Sequence, residues 1–160
     1  MKLKRFLLVG VVLFGLGGCH RHPTDAALQT AFRSNYPAFS NIVADLRLAP
    51  DRTQIEWNGS ACVFGDTLTN QAVVTTRLLS HFKTIGQPLF VVATQTRAGP
   101  QVIFYFSRRG ISVSGSAKGI IYMETEPMRI VPDTDASSQT NAPFTVVRPL
   151  DKNWFIFYSR

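Results

Sequence analysis

The stretch Leu89–Ser116, LFVVATQTRAGPQVIFYFSRRGISVSGS, decides the fold class. It holds three runs rich in apolar residues: Leu89–Gln95, Gln101–Ser107 and Ile111–Ser116. Ala98-Gly99-Pro100 and Arg108-Arg109-Gly110 separate them. Runs of this length, broken by glycine and proline, predict strands joined by short turns in an antiparallel meander. Gly119–Glu124 extends the series as a fourth strand, and Ser114–Gly119 reads as a bulged turn with a small basic corner at Lys118. Residues 132–143 are polar and read as a long loop. Phe144–Val147 and Trp154–Tyr158 then close the chain as a hairpin around Leu150-Asp151-Lys152-Asn153. Both faces of Val102–Phe106 and of Trp154–Tyr158 are apolar, which places these strands centrally or under helices.

Upstream, the period changes. Leu28, Phe32, Tyr36, Phe39, Ile42 or Val43, and Leu46 recur every three or four residues, one apolar helical face. Thr24 suits an N-cap and Asp25 a first helical turn. Pro37 splits the segment into two short helices or kinks one. Thr53–Trp57 and Ser60–Phe64 flank Asn58-Gly59, a strong hairpin signal because both turn residues tolerate positive φ. Residues 66–85 return to helix: Leu68, Ala72, Val73, Leu79, Phe82 and Ile85 share a face, Asp66 or Thr67 caps the start, and Gly86 with Pro88 ends it. The expected architecture is α+β, with amino-terminal helices packed on one face of an antiparallel β-sheet.

The 160 residues suffice for one domain plus short extensions, and 45% apolar content suffices for a core. Of the 17 basic residues, Lys2, Lys4 and Arg5 stand at the start. The chain from residue 19 onward carries 14 basic against 10 acidic residues. That mild, scattered excess is no nucleic-acid footprint.

The start has a layout of its own. After the charged Met1–Arg5 comes an apolar and glycine run, Phe6–Gly18, and then Cys19-His20-Arg21-His22. The run is shorter than the roughly 20 residues a spanning helix needs. Charged lead, apolar core and small residues form a secretory signal. Leu16-Gly17-Gly18-Cys19 resembles the lipobox of bacterial lipoproteins. The resemblance implies cleavage by signal peptidase II between Gly18 and Cys19, a diacylglycerol (palmitate-type chains) on the Cys19 sulfur, and acylation of the new amino group. Several acyl chains hold a protein on a bilayer where one is marginal. His20 in place of an aspartate implies sorting to the periplasmic face of the outer membrane rather than the inner membrane. The expected organisation is a signal peptide at 1–18, a tether at 19–25 and one globular domain at 26–160.

No constellation carries a specific chemistry. Lipid on Cys19 leaves no thiolate there for a metal, and His20 and His22 alone do not complete a zinc shell. Cys62, the other cysteine, reads as a small buried hydrophobe in a strand. His81, on a helix, reads as a boundary residue. Glu124 and Glu126, two apart before Pro127, read as solvated acids near a sheet edge. Asp133-Thr134-Asp135 resembles the opening of a calcium loop but lacks its glycine (Ser138) and closing glutamate (Phe144). No catalytic residue, metal ligand or cofactor is assigned. The expected function is a lipid-anchored envelope module that binds a protein or envelope component, without nucleic acid. The alternative is a lipid-anchored hydrolase of cell-wall or other glycans using Glu124 and Glu126, or His81 with Cys62.

Overall fold

The computed structural model describes residues 22–47, 53–57, 61–64, 71–86, 88–97, 99–110, 115–127, 129–137 and 145–160. Two helices, α1 (Asp25–Ser34) and α2 (Tyr36–Leu46), meet at Asn35. Pro37 lies in the first turn of α2, where its missing N–H leaves no hydrogen bond unmade. The hairpin β1 (Thr53–Trp57) and β2 (Ala61–Phe64) follows, then α3 (Gln71–Thr84). The remaining strands are β3 (Phe90–Thr96), β4 (Gly99–Arg109), β5 (Ser116–Met123), β6 (Thr145–Asp151) and β7 (Trp154–Ser159), with a one-turn helix, α4 (Thr134–Ser137), before β6. The turn at 58–60, the expected cap at Asp66 or Thr67, and residues 111–114 lie outside the described residues.

Among the described residues the seven strands form one sheet in the order β2-β1-β3-β4-β5-β7-β6, and each neighbouring pair is antiparallel. The α+β expectation is met. The register explains the core. Ile55, Val91, Phe104, Ile120 and Ile156 form a row across five strands, each at most 1% exposed. Opposite residues in a sheet share a face, so this row meets the helices as one surface. Leu28, Phe32, Phe39, Ile42, Leu46, Leu78, Phe82 and Ile85 cover it. Rings dominate the contact: Phe32 lies 5.0 Å from Trp154, Phe39 5.1 Å from Phe104, and Tyr122 5.2 Å from Trp154. Fully burying one such side chain contributes about 1.5–3 kcal/mol, so this layer dominates stability.

The outer face carries a second, smaller cluster of Ile121, Val147 and Phe157, with Ile103, Tyr105, Met123 and Phe155 partly buried against it. Gly119 sits between Tyr105 on β4 and Phe157 on β7. A Cβ there would lie 1.9 Å from the Phe104 carbonyl oxygen and 2.9 Å from a Phe157 ring carbon. Only glycine fits, and the two rings meet edge to face across it at 5.2 Å. The close approach lies beside a bulge in β4 between Tyr105 and Ser107, which makes Phe106 an extra residue on the helix side.

Two expectations change here. Arg108-Arg109 continue β4 instead of turning, and Gly110 (φ 79°) makes the bend. Ser116–Gly119 are strand rather than turn, paired to β4 and β7. The bulge belongs to β4 instead. Lys118 therefore points inward with Ile120 and Tyr122, and is 1% exposed.

Candidate functional site

Where α1 starts, α4 starts and β5 passes beneath them, charged groups gather inside the protein. Thr24 caps α1, its hydroxyl oxygen accepting the Ala27 N–H at 3.2 Å. That places Asp25 at the first helical position, with its carboxylate turned inward and 3% of the residue exposed. Oδ1 of Asp25 accepts Lys118 Nζ at 2.7 Å and the Thr134 hydroxyl. Oδ2 accepts the Thr134 N–H at 2.9 Å and Arg148 Nη1 at 3.3 Å. Lys118 also pairs with Oδ1 of Asp135, while Oδ2 of Asp135 accepts the Asp25 N–H at 2.9 Å. Each helix thus receives a carboxylate at its N-terminus from the other, and one ammonium bridges both carboxylates. Free N–H groups and the helix dipole favour this arrangement. Burial pushes the Asp25 carboxyl up, but the bonds from Lys118 and from the Thr134 hydroxyl and N–H outweigh it. The group is held below its ordinary 3.8.

Oxygens of Asp25, Asp133 and Asp135 lie within 4.8 Å of one another, a spacing that suits a cation. The cluster already holds one, since Lys118 Nζ bonds two of the three. Asp133 caps α4 by accepting the Asp135 N–H at 2.7 Å.

One register step away is His22. Its Nδ1 is 2.6 Å from Ser107 Oγ on β4 and its Nε2 2.7 Å from Ser116 Oγ on β5. The ring stands edge-on to Tyr158 of β7 at 5.5 Å. Burial first, then the charges of Arg109 and Lys118, lower the imidazole from 6.5 to about 4. It is neutral at pH 7, so one nitrogen donates to a serine and the other accepts from one. A serine bonded to histidine is the geometry of an activated nucleophile. Here the third group is another serine, not a carboxylate, and two cations oppose the imidazolium that a triad must form. The arrangement is suited to holding the chain in place. Residues 22–25, expected in the tether, are therefore tied to the domain by His22, Thr24 and Asp25.

The other sequence candidates are dispersed. Gly18, Cys19 and His20 lie outside the described residues. Cys62 pairs with Glu56 between β1 and β2. His81 is half-buried in the last turn of α3. Glu124 and Glu126 follow the end of β5, an interior strand, so they are not on a sheet edge. Glu124 is ion-paired with Arg47 and accepts the Tyr122 hydroxyl at 2.9 Å, while Glu126 is exposed and has no hydrogen bond or ion pair among the described residues. Sequence reasoning missed Arg148, Ser107 and Ser116, and it read Lys118 as a turn residue and Asp135 only as part of an incomplete calcium loop. The usable signal was Lys118 itself, an ionisable residue in step with Ile120 and Tyr122.

At the open end of β4, β5 and β7, a depression of about 300 Å³ is lined by Arg108, Gly110, Gly115, Ser116, Ala117, Ser159 and Arg160. Ser116 belongs to both this depression and the His22 clamp. Compared with known protein families, characterised proteins and solved structures, the chain matches none. Among the described residues no helix is long and apolar enough to cross a membrane.

Proposed function

We propose that this chain is a bacterial lipoprotein of the outer membrane, anchored by lipid on Cys19, whose α+β domain binds a protein or another envelope component. The observation that carries this reading is Leu16-Gly17-Gly18-Cys19 placed directly after a charged and apolar lead. The ordered start of the domain is consistent with it, since His22 stands three residues from the anchor and is fixed on β4 and β5. Binding is favoured over glycan hydrolysis because Glu124 is engaged by Arg47 and Tyr122 rather than paired with Glu126 across a cleft. Fractionation of cells expressing the full chain tests the anchor. The protein is expected in the outer-membrane fraction, and Cys19→Ser is expected to lose the lipid and with it this sorting. Retention of Cys19→Ser in the outer membrane at the wild-type level would contradict the reading. Cross-linking in the native envelope, with mass spectrometry of the products, then identifies the bound component.

A further inference from the structure

We propose that the depression at the open end of β4, β5 and β7 holds the phosphate of an anionic phospholipid headgroup, so that the domain rests on the bilayer by this end. The inference depends on the lipid-anchor reading above and adds an orientation and a ligand class to it. Three observations carry it. The first is reach. Cys19 and His22 are separated by three residue steps, which span at most about 10 Å. His22 Nε2 is 2.7 Å from Ser116 Oγ, and Ser116 lines the depression. A lipid on Cys19 is thereby held close to this end of the sheet and cannot reach the opposite end, where the β6–β7 turn lies.

The second observation is charge. The lining includes the guanidinium-bearing Arg108 and Arg160 and the glycines Gly110 and Gly115, with no acidic side chain among the described residues. Arg108 is exposed and has no ion-pair partner among the described residues. Guanidinium groups pair with phosphate in two-pronged geometry, and basic groups near a bilayer are drawn to anionic headgroups. The third observation is Arg109, beside His22. Its Nη2 is buried with no hydrogen-bond partner among the described residues. It adds positive potential at the same end of the sheet. A free phosphate would use the same chemistry, but the anchor keeps a headgroup at high local concentration, which selects the lipid.

The test uses the full lipidated chain in vesicles of phosphatidylcholine alone or with phosphatidylglycerol, read by backbone hydrogen exchange. Slower exchange at 108–110 and 115–117 on the anionic vesicles only is expected. It should be lost at high salt and in Arg108→Gln, whose exposed site leaves core exchange unchanged. Equal exchange on both vesicles, with acylated Cys19 confirmed by mass, overturns this proposal and leaves the anchor standing. Absence of the acyl mass overturns both. Protection of the same amides by inorganic phosphate in detergent, with none on anionic vesicles, shows a free-phosphate site and overturns the lipid assignment.

Discussion

Replacing Lys118 by methionine removes the ammonium that bridges Asp25 and Asp135 while keeping most of the side-chain volume. Lys118 Nζ lies 2.7 Å from Asp25 Oδ1, and the two side chains are 1% and 4% exposed. At an effective dielectric constant of about 20, unit charges at that distance attract by roughly 6 kcal/mol. Desolvation offsets much of this, and breaking buried pairs from one side typically costs about 3–5 kcal/mol. Asp25 keeps Thr134 and Arg148, and the Asp135 side chain is 41% exposed, so the expected loss lies near the lower end. A loss of about 3 kcal/mol is a large share of a domain stability of about 5–15 kcal/mol. Urea unfolding followed by tryptophan fluorescence reads it, Trp154 being buried. Lys118→Met combined with Asp25→Asn should cost less than the two single changes added, because the double variant no longer leaves the buried Asp25 carboxylate without its ammonium. A loss under about 1 kcal/mol for Lys118→Met, or strict additivity, would refute the network as the link between α1, α4 and the sheet.

The remaining predictions concern pH, packing and surface charge. His22 is lowered in the fold to about 4, so its contribution is present above its unfolded value of 6.5 and lost as pH falls toward 4. An NMR titration should place its midpoint well below 6.5, and His22→Phe should remove that part of the acid destabilisation. Asp25, also lowered, stabilises the fold above about 3.8 and loses its contribution as pH falls below that. The stability gap between wild type and Asp25→Asn should therefore narrow in strong acid. Gly119→Ala should lower the melting temperature sharply or prevent folding, since its Cβ meets the Phe104 carbonyl oxygen at 1.9 Å. Arg47→Ala should cost no more than about 1 kcal/mol, less at high salt, because its pair with Glu124 is 48% and 31% exposed.

The sheet was readable because its strands are marked by side-chain pattern and by turn residues that act locally. Thr24, Pro37, Gly86 and the β6–β7 turn, where Asn153 has φ 65°, all serve as local chemistry predicts. What escaped the sequence depends on register. Lys118 looked like a turn residue beside Gly115 and Gly119, yet Gly119 is there to let two aromatic rings close over β5. Once β5 is extended through Ser116, the alternation of sides sends Lys118 inward, and only an inward lysine makes Asp25 more than a helix-start acid. His22 was obscured by its neighbours Cys19 and His20, which suggested either a metal or a loose tether. Its serine partners are 85 and 94 residues away. Glu124 and Glu126 seemed a pair by spacing, but β5 ends before them and Arg47 claims the first.

The central claim is that residue 19 begins the mature protein and carries its anchor. Mass spectrometry of the amino-terminal peptide from the native protein tests it directly. The account predicts a peptide that begins at Cys19 and carries a diacylglycerol thioether. A peptide that retains Gly18, or one that begins at Cys19 with an unmodified thiol, would contradict it.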